Sequence, residues 1–241
     1  MADRKRLEDA LAGVGVTPAT PFTDDLASVD EPGLASNLRF LVEAGVRLLY
    51  PAGNTGEVAS LSPDEWASVV AVAVEATDAT ALVVPGVGHE LPVAIDLARQ
   101  AADLGADGLL LMPRQQPYAA GRGLVEYWRQ IMDVTDLPVV LYKRDLPDDV
   151  DLLAAVEHPS VVGCKYGGKD VAAFAAAAGA DETDTTWTCG SAERYAPFFS
   201  SAGARGFTSG LANFAPELAL GMHAALEAGD LAAALALRSR A

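Results

Sequence analysis

Short apolar runs alternate with stretches of helical period along the whole chain. The alternation occurs eight times within 241 residues, without a low-complexity linker between units. Continuous apolar strands joined by helices form a parallel sheet that is covered on both faces. Eight such units predict a closed barrel, and we expect one α/β domain over residues 1–241, a (β/α)₈ TIM barrel. The alternative is an open doubly wound sheet, but no G-x-G-x-x-G motif follows the first apolar run.

Helix boundaries support this count of units. The segments 43–53, 103–113 and 201–210 share one order: a helix end, a glycine, an apolar strand and an exit with proline or glycine. Glycine in this position is the usual left-handed helix terminator. Ser62, Pro63 and Glu65 have the spacing of a capping box, and Ser28 or Asp30 is expected to cap the preceding helix.

Charge and composition exclude several kinds of partner. The formal net charge is −16, which argues against binding to nucleic acid or to an anionic membrane surface. No apolar run reaches the roughly 18 residues that a membrane span needs, and the charged N-terminus lacks the apolar core of a secretory signal. We therefore expect a cytoplasmic protein in which Cys164 and Cys189 are reduced, buried thiols. Three scattered histidines give no ligand spacing, so no metal site is expected.

In a barrel of this kind, functional side chains lie at the carboxyl ends of the strands and on the loops that follow them. Lys165 stands near the end of the sixth apolar run, VVGCKY, and Tyr142 near the end of the fifth. Asn54 and Thr55 follow the second run, and Ser209 ends the eighth. These are the candidate site residues.

Strand alternation sharpens this selection. Val161, Gly163 and Lys165 share one face of their strand, and Gly163 would leave room for the lysine side chain inside the barrel. By the same rule Tyr142 and Lys143 lie on opposite faces. Burial disfavours the ammonium form, so an enclosed lysine has a lowered pKa and its neutral amine can attack a carbonyl carbon. Position alone leaves a second interpretation open: a lysine that reaches the barrel mouth or pairs with an acid.

The other candidates are also open to two interpretations. A phenol at residue 142 could transfer protons beside the amine, or be a core tyrosine. The PAGNTGE turn could hold a carboxylate through its backbone N–H groups, or be an ordinary turn braced by Glu57. Residues after the last two strands could contact substrate hydroxyls or cap helices: Ser191, Glu193, Ser209, Gly210 and Asn213. Arg114 and Arg144 could bind a distal carboxylate.

The stretches GVTPATPF, GNTGE, GADGLLLMP, PVVLY, VVGCKYG and ARGFTSGLANFAPE occur in this order over nearly the whole chain. Together they resemble the dihydrodipicolinate synthase/N-acetylneuraminate lyase family. The resemblance implies that Lys165 forms a Schiff base with the keto carbon of pyruvate or of a longer 2-keto acid. Tyr142 would be the acid/base group, with Thr55 as its hydrogen-bond partner. The Gly53–Thr55 loop would hold the substrate carboxylate, and no metal or organic cofactor would be needed.

Departures from the family pattern point away from dihydrodipicolinate synthase itself. That enzyme has two threonines in the loop, and this chain has Asn54 in place of the first. Its tyrosine pair after the fourth strand is replaced by Arg114 and Gln115, with Tyr118 further on. After its catalytic tyrosine that enzyme has an asparagine and then an arginine. This chain has Lys143, Arg144 and Asp145 there, and Pro147 falls near the place of the arginine. The loop is closer to branches acting on 2-keto-3-deoxy sugar acids. The extra C-terminal helices also look shortened or missing, although a homo-oligomer, dimer or tetramer, is still implied.

These observations predict a Schiff-base-forming lyase for a small 2-keto acid. The expected reaction is aldol cleavage or dehydration of a 2-keto-3-deoxy sugar acid, as in 2-keto-3-deoxygluconate aldolases and 5-dehydro-4-deoxyglucarate dehydratases. The alternative is a non-catalytic relative that binds a keto acid or sugar acid. A phosphate-binding barrel enzyme is disfavoured, because no glycine-rich cradle follows the last two strands.

Overall fold

A computed structural model describes residues 2–113, 120–145 and 147–241, with side chains from residue 4 onward. The described strands are Val14–Val16 (β1), Leu48–Leu49 (β2), Leu82–Val83 (β3), Gly86–Val87 (β4), Leu109–Leu111 (β5), Val139–Lys143 (β6), Val161–Tyr166 (β7), Thr186–Cys189 (β8) and Gly206–Ser209 (β9). The helices are Ala2–Leu11 (α1), Glu31–Glu43 (α2), Pro63–Thr77 (α3), Leu91–Asp103 (α4), Gly121–Met132 (α5), Asp149–Val156 (α6), Val171–Ala180 (α7), Ala192–Ser201 (α8), Pro216–Glu227 (α9) and Leu231–Arg238 (α10). A 3₁₀ turn covers Leu211–Asn213.

The strands are all parallel and form a closed barrel. Their order is β3-β2-β1-β9-β8-β7-β6-β5-β4, and β3 and β4 are separated only by Val84 and Pro85. Pro85 has no N–H group, but its carbonyl oxygen accepts a hydrogen bond from Leu110 at 2.9 Å. Residues 82–87 therefore act as one strand that joins β2 to β5. The (β/α)₈ barrel predicted from the sequence is confirmed.

Local signals at the helix ends also match the sequence. Ser62 and Glu65 form the complete capping box of α3. Asp30, not Ser28, caps α2 and accepts a hydrogen bond from the Gly33 N–H group at 3.0 Å. The three helix-ending glycines have left-handed backbones, with φ of 109° at Gly45, 86° at Gly105 and 104° at Gly203.

Helix α1 is an element that the sequence analysis missed. Leu7 and Leu11 on this helix are fully buried against the amino ends of the strands. A β-carbon on Gly163 would lie 2.5 Å from Leu11 Cδ1. The space beside Gly163 is therefore filled by Leu11, and the expectation that it accommodates the Lys165 side chain is wrong.

The C-terminal region contains two helices, α9 and α10. Gly229, with φ of 71°, lies in the short connection between the two helices. Asp230 caps α10 by accepting a hydrogen bond from the Ala233 N–H group at 2.9 Å. Helix α9 completes the eighth strand-helix unit, and α10 is one further helix after it. In the part of the chain that the structure describes, no helix is both long enough and apolar enough to cross a membrane. The cytoplasmic location and the homo-oligomer stay predictions.

We expect Leu11→Ala to lower the free energy of unfolding by about 2–5 kcal/mol, because it leaves a cavity beneath the barrel. Urea denaturation measures the change. Leu26→Ala is the matched control, since the Leu26 side chain is 77% exposed and its truncation should cost little. Equal losses in the two variants would contradict a packing role for α1.

Candidate active site

Lys165 and Tyr142 lie side by side inside the barrel. Strands β6 and β7 pair so that Tyr142 is directly beside Lys165, and Lys143 beside Tyr166. Both members of the first pair are buried, and the Lys165 ammonium nitrogen, Nζ, is 4.0 Å from the centre of the Tyr142 ring. Lys143 lies on the other face, where its Nζ donates to the Tyr166 hydroxyl at 3.4 Å. The alternation predicted for β6 is confirmed.

The surroundings of Lys165 favour its neutral form. Only 4% of the residue is exposed. Burial lowers the pKa of Lys165 to about 7, and the positive charge of Arg144 adds to the decrease. Within the described residues, no carboxylate forms an ion pair with this lysine. A substantial fraction of neutral amine is therefore present at neutral pH, which is the form that attacks a carbonyl carbon.

Tyr142 is held as a neutral phenol. Burial raises the pKa of Tyr142, while the charge of Arg144 and a hydrogen bond with the Asn54 side chain oppose the rise. The family resemblance implied Thr55 as its hydrogen-bond partner. In this structure the side chain of Asn54, the residue that departs from the dihydrodipicolinate synthase pattern, is a group that lowers the pKa of Tyr142.

The loop after β2 is fixed to the segment that follows β1. Thr20 donates from its hydroxyl to the Gly56 carbonyl oxygen at 2.8 Å, and the Val58 N–H group donates to Gly53 at 3.1 Å. A β-carbon on Gly53 would lie 2.5 Å from Thr17 Cγ2, so this close approach requires glycine. Asn54 and Thr55 remain exposed at the rim. The loop is thus a rigid carrier of two polar side chains.

Gly210 and Asn213 complete the rim on the opposite side of this loop. A β-carbon on Gly210 would have Thr55 Oγ1 as its nearest contact, at 3.9 Å. The Asn213 side chain donates to the Thr17 carbonyl oxygen at 2.9 Å and accepts from the Ala19 N–H group at 3.0 Å. Asn213 therefore joins the end of β9 to the segment after β1. The sequence analysis had suggested a substrate contact or a helix cap instead.

Ser209 was expected to bind substrate, but its side chain is fully buried on the outer face of β9. Phe207, two residues earlier, contacts His223 of α9, and alternation places Ser209 on the same side. The Ser209 hydroxyl accepts from the Ala212 N–H group at 2.9 Å, and the Ser209 side chain lowers the pKa of Glu193. In this arrangement Ser209 stabilises the turn after β9 and offers no free group to a ligand.

Glu193 begins α8 as a buried carboxyl group, which the sequence did not reveal. The residue is 5% exposed, and its Oε1 atom has no hydrogen-bond partner among the described residues. Burial raises the pKa of Glu193, and the hydrogen bond from Ser209 partly offsets the effect. An acid in the first helical turn usually lies in solvent near the helix dipole. Ser191 does not cap this helix with its side chain, because its hydroxyl donates to the Gly168 carbonyl oxygen at 2.8 Å.

Gly190 is a second residue that the sequence analysis missed. A β-carbon there would lie 2.9 Å from Lys165 Cγ and 3.1 Å from Gly167 Cα. The lysine stem therefore passes through space that only glycine leaves free. The sequence signal is the glycine directly after the apolar run of β8.

Two groups of predicted residues remain. Arg144 is half-buried and its charge acts on both Lys165 and Tyr142, so it supplies positive charge to the site. Arg114, Gln115 and Tyr118 lie outside the described residues.

In the described ranges, no group of three or more His, Cys, Asp and Glu side chains is arranged to hold a metal ion.

We expect Glu193→Gln to remove a pH dependence of stability. The folded protein holds the Glu193 proton more tightly than the unfolded chain, so the free energy of unfolding falls as pH rises above the ordinary value of 4.5. Glutamine does not ionise, and the variant should gain stability relative to the parent as the pH is raised from about 4.5 through the mildly acidic range. Urea denaturation across this range measures it.

Glu217→Gln is the matched control, because Glu217 also occupies a first helical turn but is exposed. A stability difference between Glu193→Gln and the parent that does not change with pH would contradict the raised pKa of the buried Glu193.

Comparison with known proteins assigns the chain to a family. The closed barrel, with titratable side chains gathered at the carboxyl ends of its strands, defines an enzyme of the (β/α)₈ class. A family model described as the dihydrodipicolinate synthetase family matches residues 10–241. The chain belongs to this family, and it is an enzyme of the class I lyase type.

Similar proteins carry two different names. A probable 5-dehydro-4-deoxyglucarate dehydratase of Streptomyces coelicolor is 36% identical over 94% of this chain and 71% of its own length. A 4-hydroxy-tetrahydrodipicolinate synthase of Methanoculleus marisnigri is 35% identical over 92% of this chain and 79% of its own length. The crystal structure of dihydrodipicolinate synthase from Oceanobacillus iheyensis superposes with a TM-score of 0.93 at 32% identity, over 98% of this chain and 80% of that one.

Proposed function

We propose that this chain is a Schiff-base-forming dehydratase that acts on a 2-keto-3-deoxy sugar acid. The observation that carries the proposal is the buried Lys165 amine 4.0 Å from the centre of the Tyr142 ring. An amine of lowered pKa beside a neutral phenol has the groups needed to form an imine with a keto acid. The loop of Gly53, Asn54 and Thr55 offers donors for the carboxylate next to the keto group.

Imine formation uses the two side chains in turn. The neutral Lys165 amine attacks the keto carbon, a C–N bond forms, and the carbonyl oxygen takes up protons and leaves as water. Tyr142 donates a proton to that oxygen and becomes a phenolate, which the charge of Arg144 and the hydrogen bond with Asn54 stabilise. The product is an iminium cation that joins the substrate to Lys165.

Dehydration follows from the electron demand of this cation. Loss of a proton from C3 of the keto acid gives an enamine, and the Tyr142 phenolate beside Lys165 is the base that takes this proton. The enamine electrons then expel the hydroxyl group from C4, which leaves as water after it takes up a proton. Hydrolysis of the resulting imine releases the dehydrated keto acid and restores the amine.

Arg144 favours a substrate with a second negative charge. It lies close enough to both Lys165 and Tyr142 for its charge to change the pKa of each. A guanidinium group in that place can bind a carboxylate at the far end of a bound keto acid. The relatives named 5-dehydro-4-deoxyglucarate dehydratase support a dicarboxylate of this class.

The second candidate is condensation of pyruvate with an aldehyde, as the name 4-hydroxy-tetrahydrodipicolinate synthase implies for relatives of similar identity. The residue Asn54 disfavours it, because the synthase pattern has threonine at that place. The non-catalytic alternative differs in its test: such a protein would bind keto acids without turnover and without any need for Lys165.

Borohydride reduction in the presence of pyruvate tests the proposal. We expect a covalent adduct whose position, by peptide mass spectrometry, is Lys165, and none in Lys165→Ala. Lys169→Ala is the matched control, since Lys169 is an exposed lysine on the following loop and its loss should leave the adduct intact. Turnover of a 2-keto-3-deoxy dicarboxylate, measured as loss of substrate and gain of dehydrated product, then separates dehydration from cleavage. The absence of any adduct with a panel of 2-keto acids would reject the mechanism.

We expect Arg144→Gln to raise KM for a dicarboxylic 2-keto-3-deoxy acid roughly 10- to 100-fold, because it removes a charged hydrogen-bond donor. Steady-state kinetics with the dicarboxylate and with its monocarboxylic counterpart measures the effect. Arg99→Ala is the control, since Arg99 is an exposed residue of α4. A KM that rises equally for both acids would contradict recognition of the distal carboxylate.

A further inference from the structure

Tyr50 is a second aromatic residue near the Lys165 amine, and no step described above uses it. It directly follows β2, is 2% exposed, and its ring lies inside the barrel. Burial raises the pKa of its hydroxyl, so the ring stays a neutral phenol. The Lys165 Nζ atom lies 5.6 Å from the centre of this ring.

The two rings reach the amine from different sides of the barrel. Tyr142 is on β6, which is the strand next to Lys165, whereas β2 is four positions from β7 in either direction around the closed sheet. The lysine side chain therefore extends across the barrel from β7, with Tyr142 beside it and Tyr50 opposite.

Glycine at residue 15 fixes the position of the Tyr50 ring. Gly15 lies on β1, beside β2, and a β-carbon there would overlap Cε2 of Tyr50. The ring thus occupies the volume that a side chain on β1 would fill, and it is packed into place. This packing holds the Tyr50 ring with its face towards the Lys165 nitrogen, a contact that filling the core does not require.

We propose that Tyr50 is a positioning residue whose ring, together with that of Tyr142, stabilises the cationic nitrogen of Lys165, first as ammonium and then as the iminium of the bound keto acid. This inference rests on the proposed function.

The physical basis is the negative face of an aromatic ring. Cations within about 6 Å of a ring centre are attracted by its quadrupole, and the attraction grows when water is excluded. Among the described residues no carboxylate pairs with Lys165, and burial raises the pKa of the nearby Cys189 thiol to about 12, so that thiol carries no charge. In the free protein the faces of Tyr50 and Tyr142 therefore offset the burial of the ammonium charge. In the iminium state the Tyr50 face acts beside the Tyr142 phenolate.

Fluorinated phenylalanines at residue 50 test this, because fluorine weakens the negative ring face with little change in shape. The series is Tyr50→Phe, then 4-fluoro-, 3,5-difluoro- and 3,4,5-trifluoro-phenylalanine. We expect Tyr50→Phe to retain the parent behaviour. The apparent affinity for pyruvate, measured as borohydride-trapped adduct against pyruvate concentration, should fall stepwise by roughly five- to thirtyfold over the whole series. The same substitutions at Tyr127, which is distant on α5, are the control for fluorination itself.

A second measurement does not depend on imine chemistry. The rate at which cyanate carbamylates Lys165, followed against pH, reports the pKa of this amine in the free protein. Each added fluorine should lower that pKa, because the ammonium form loses stabilisation. An unchanged pKa and unchanged pyruvate affinity across the series would overturn the role of Tyr50, even if the parent forms the adduct. The parent protein could instead form no adduct with pyruvate while the pKa of Lys165 still falls along the series. That result would reject the proposed function and retain the contact of Tyr50 with the ammonium group.

Discussion

Burial of a single amine is the constraint on which the site depends. Lys165 stands on a strand of a closed parallel barrel, where side chains of the neighbouring strands surround it. The cost of burying a charge lowers the pKa of its ammonium group to about 7 and makes the neutral amine available. An acid close by would reverse this effect, and an open barrel would admit water. The chemistry that we propose therefore follows from closure of the sheet and from the lack of a carboxylate partner among the described residues.

The strand that carries Lys165 is held rigidly from behind. On its outer face Tyr166 packs against Phe174 at 5.4 Å and lies 6.2 Å from Phe199 between ring centres, while its hydroxyl donates to Asp149 at 3.3 Å. Lys143 joins this group, with Nζ 4.4 Å from the centre of the Tyr166 ring. Such packing fixes the strand, and thereby the direction in which the Lys165 side chain leaves it. Two lysines on adjacent strands thus have opposite roles: one braces the wall of the barrel and the other faces its interior.

The rim of the site is assembled from segments that are far apart in the chain. The loop after β2 and the turn after β9 both bind the segment 17–20, through Thr20 and Asn213. Their polar groups are used mainly to hold the backbone, which leaves Asn54, Thr55 and Gly210 at the surface of the rim. A site built on such a scaffold can change its substrate by changing the few exposed side chains, and Asn54 is one of these.

Local patterns determined much of this protein. Hydrophobic periodicity predicted the barrel, alternation predicted which faces Tyr142 and Lys143 occupy, and the cap of α3 followed from three residues, because each of these signals depends on neighbours within a few positions. Only the tertiary structure showed that Leu11 fills the space beside Gly163, that Ser209 turns away from the site towards a buried Glu193, and that Tyr50 faces Lys165. Those contacts join residues between 16 and 152 positions apart. The sequence of a single segment carries no record of what lies opposite it once the barrel has closed.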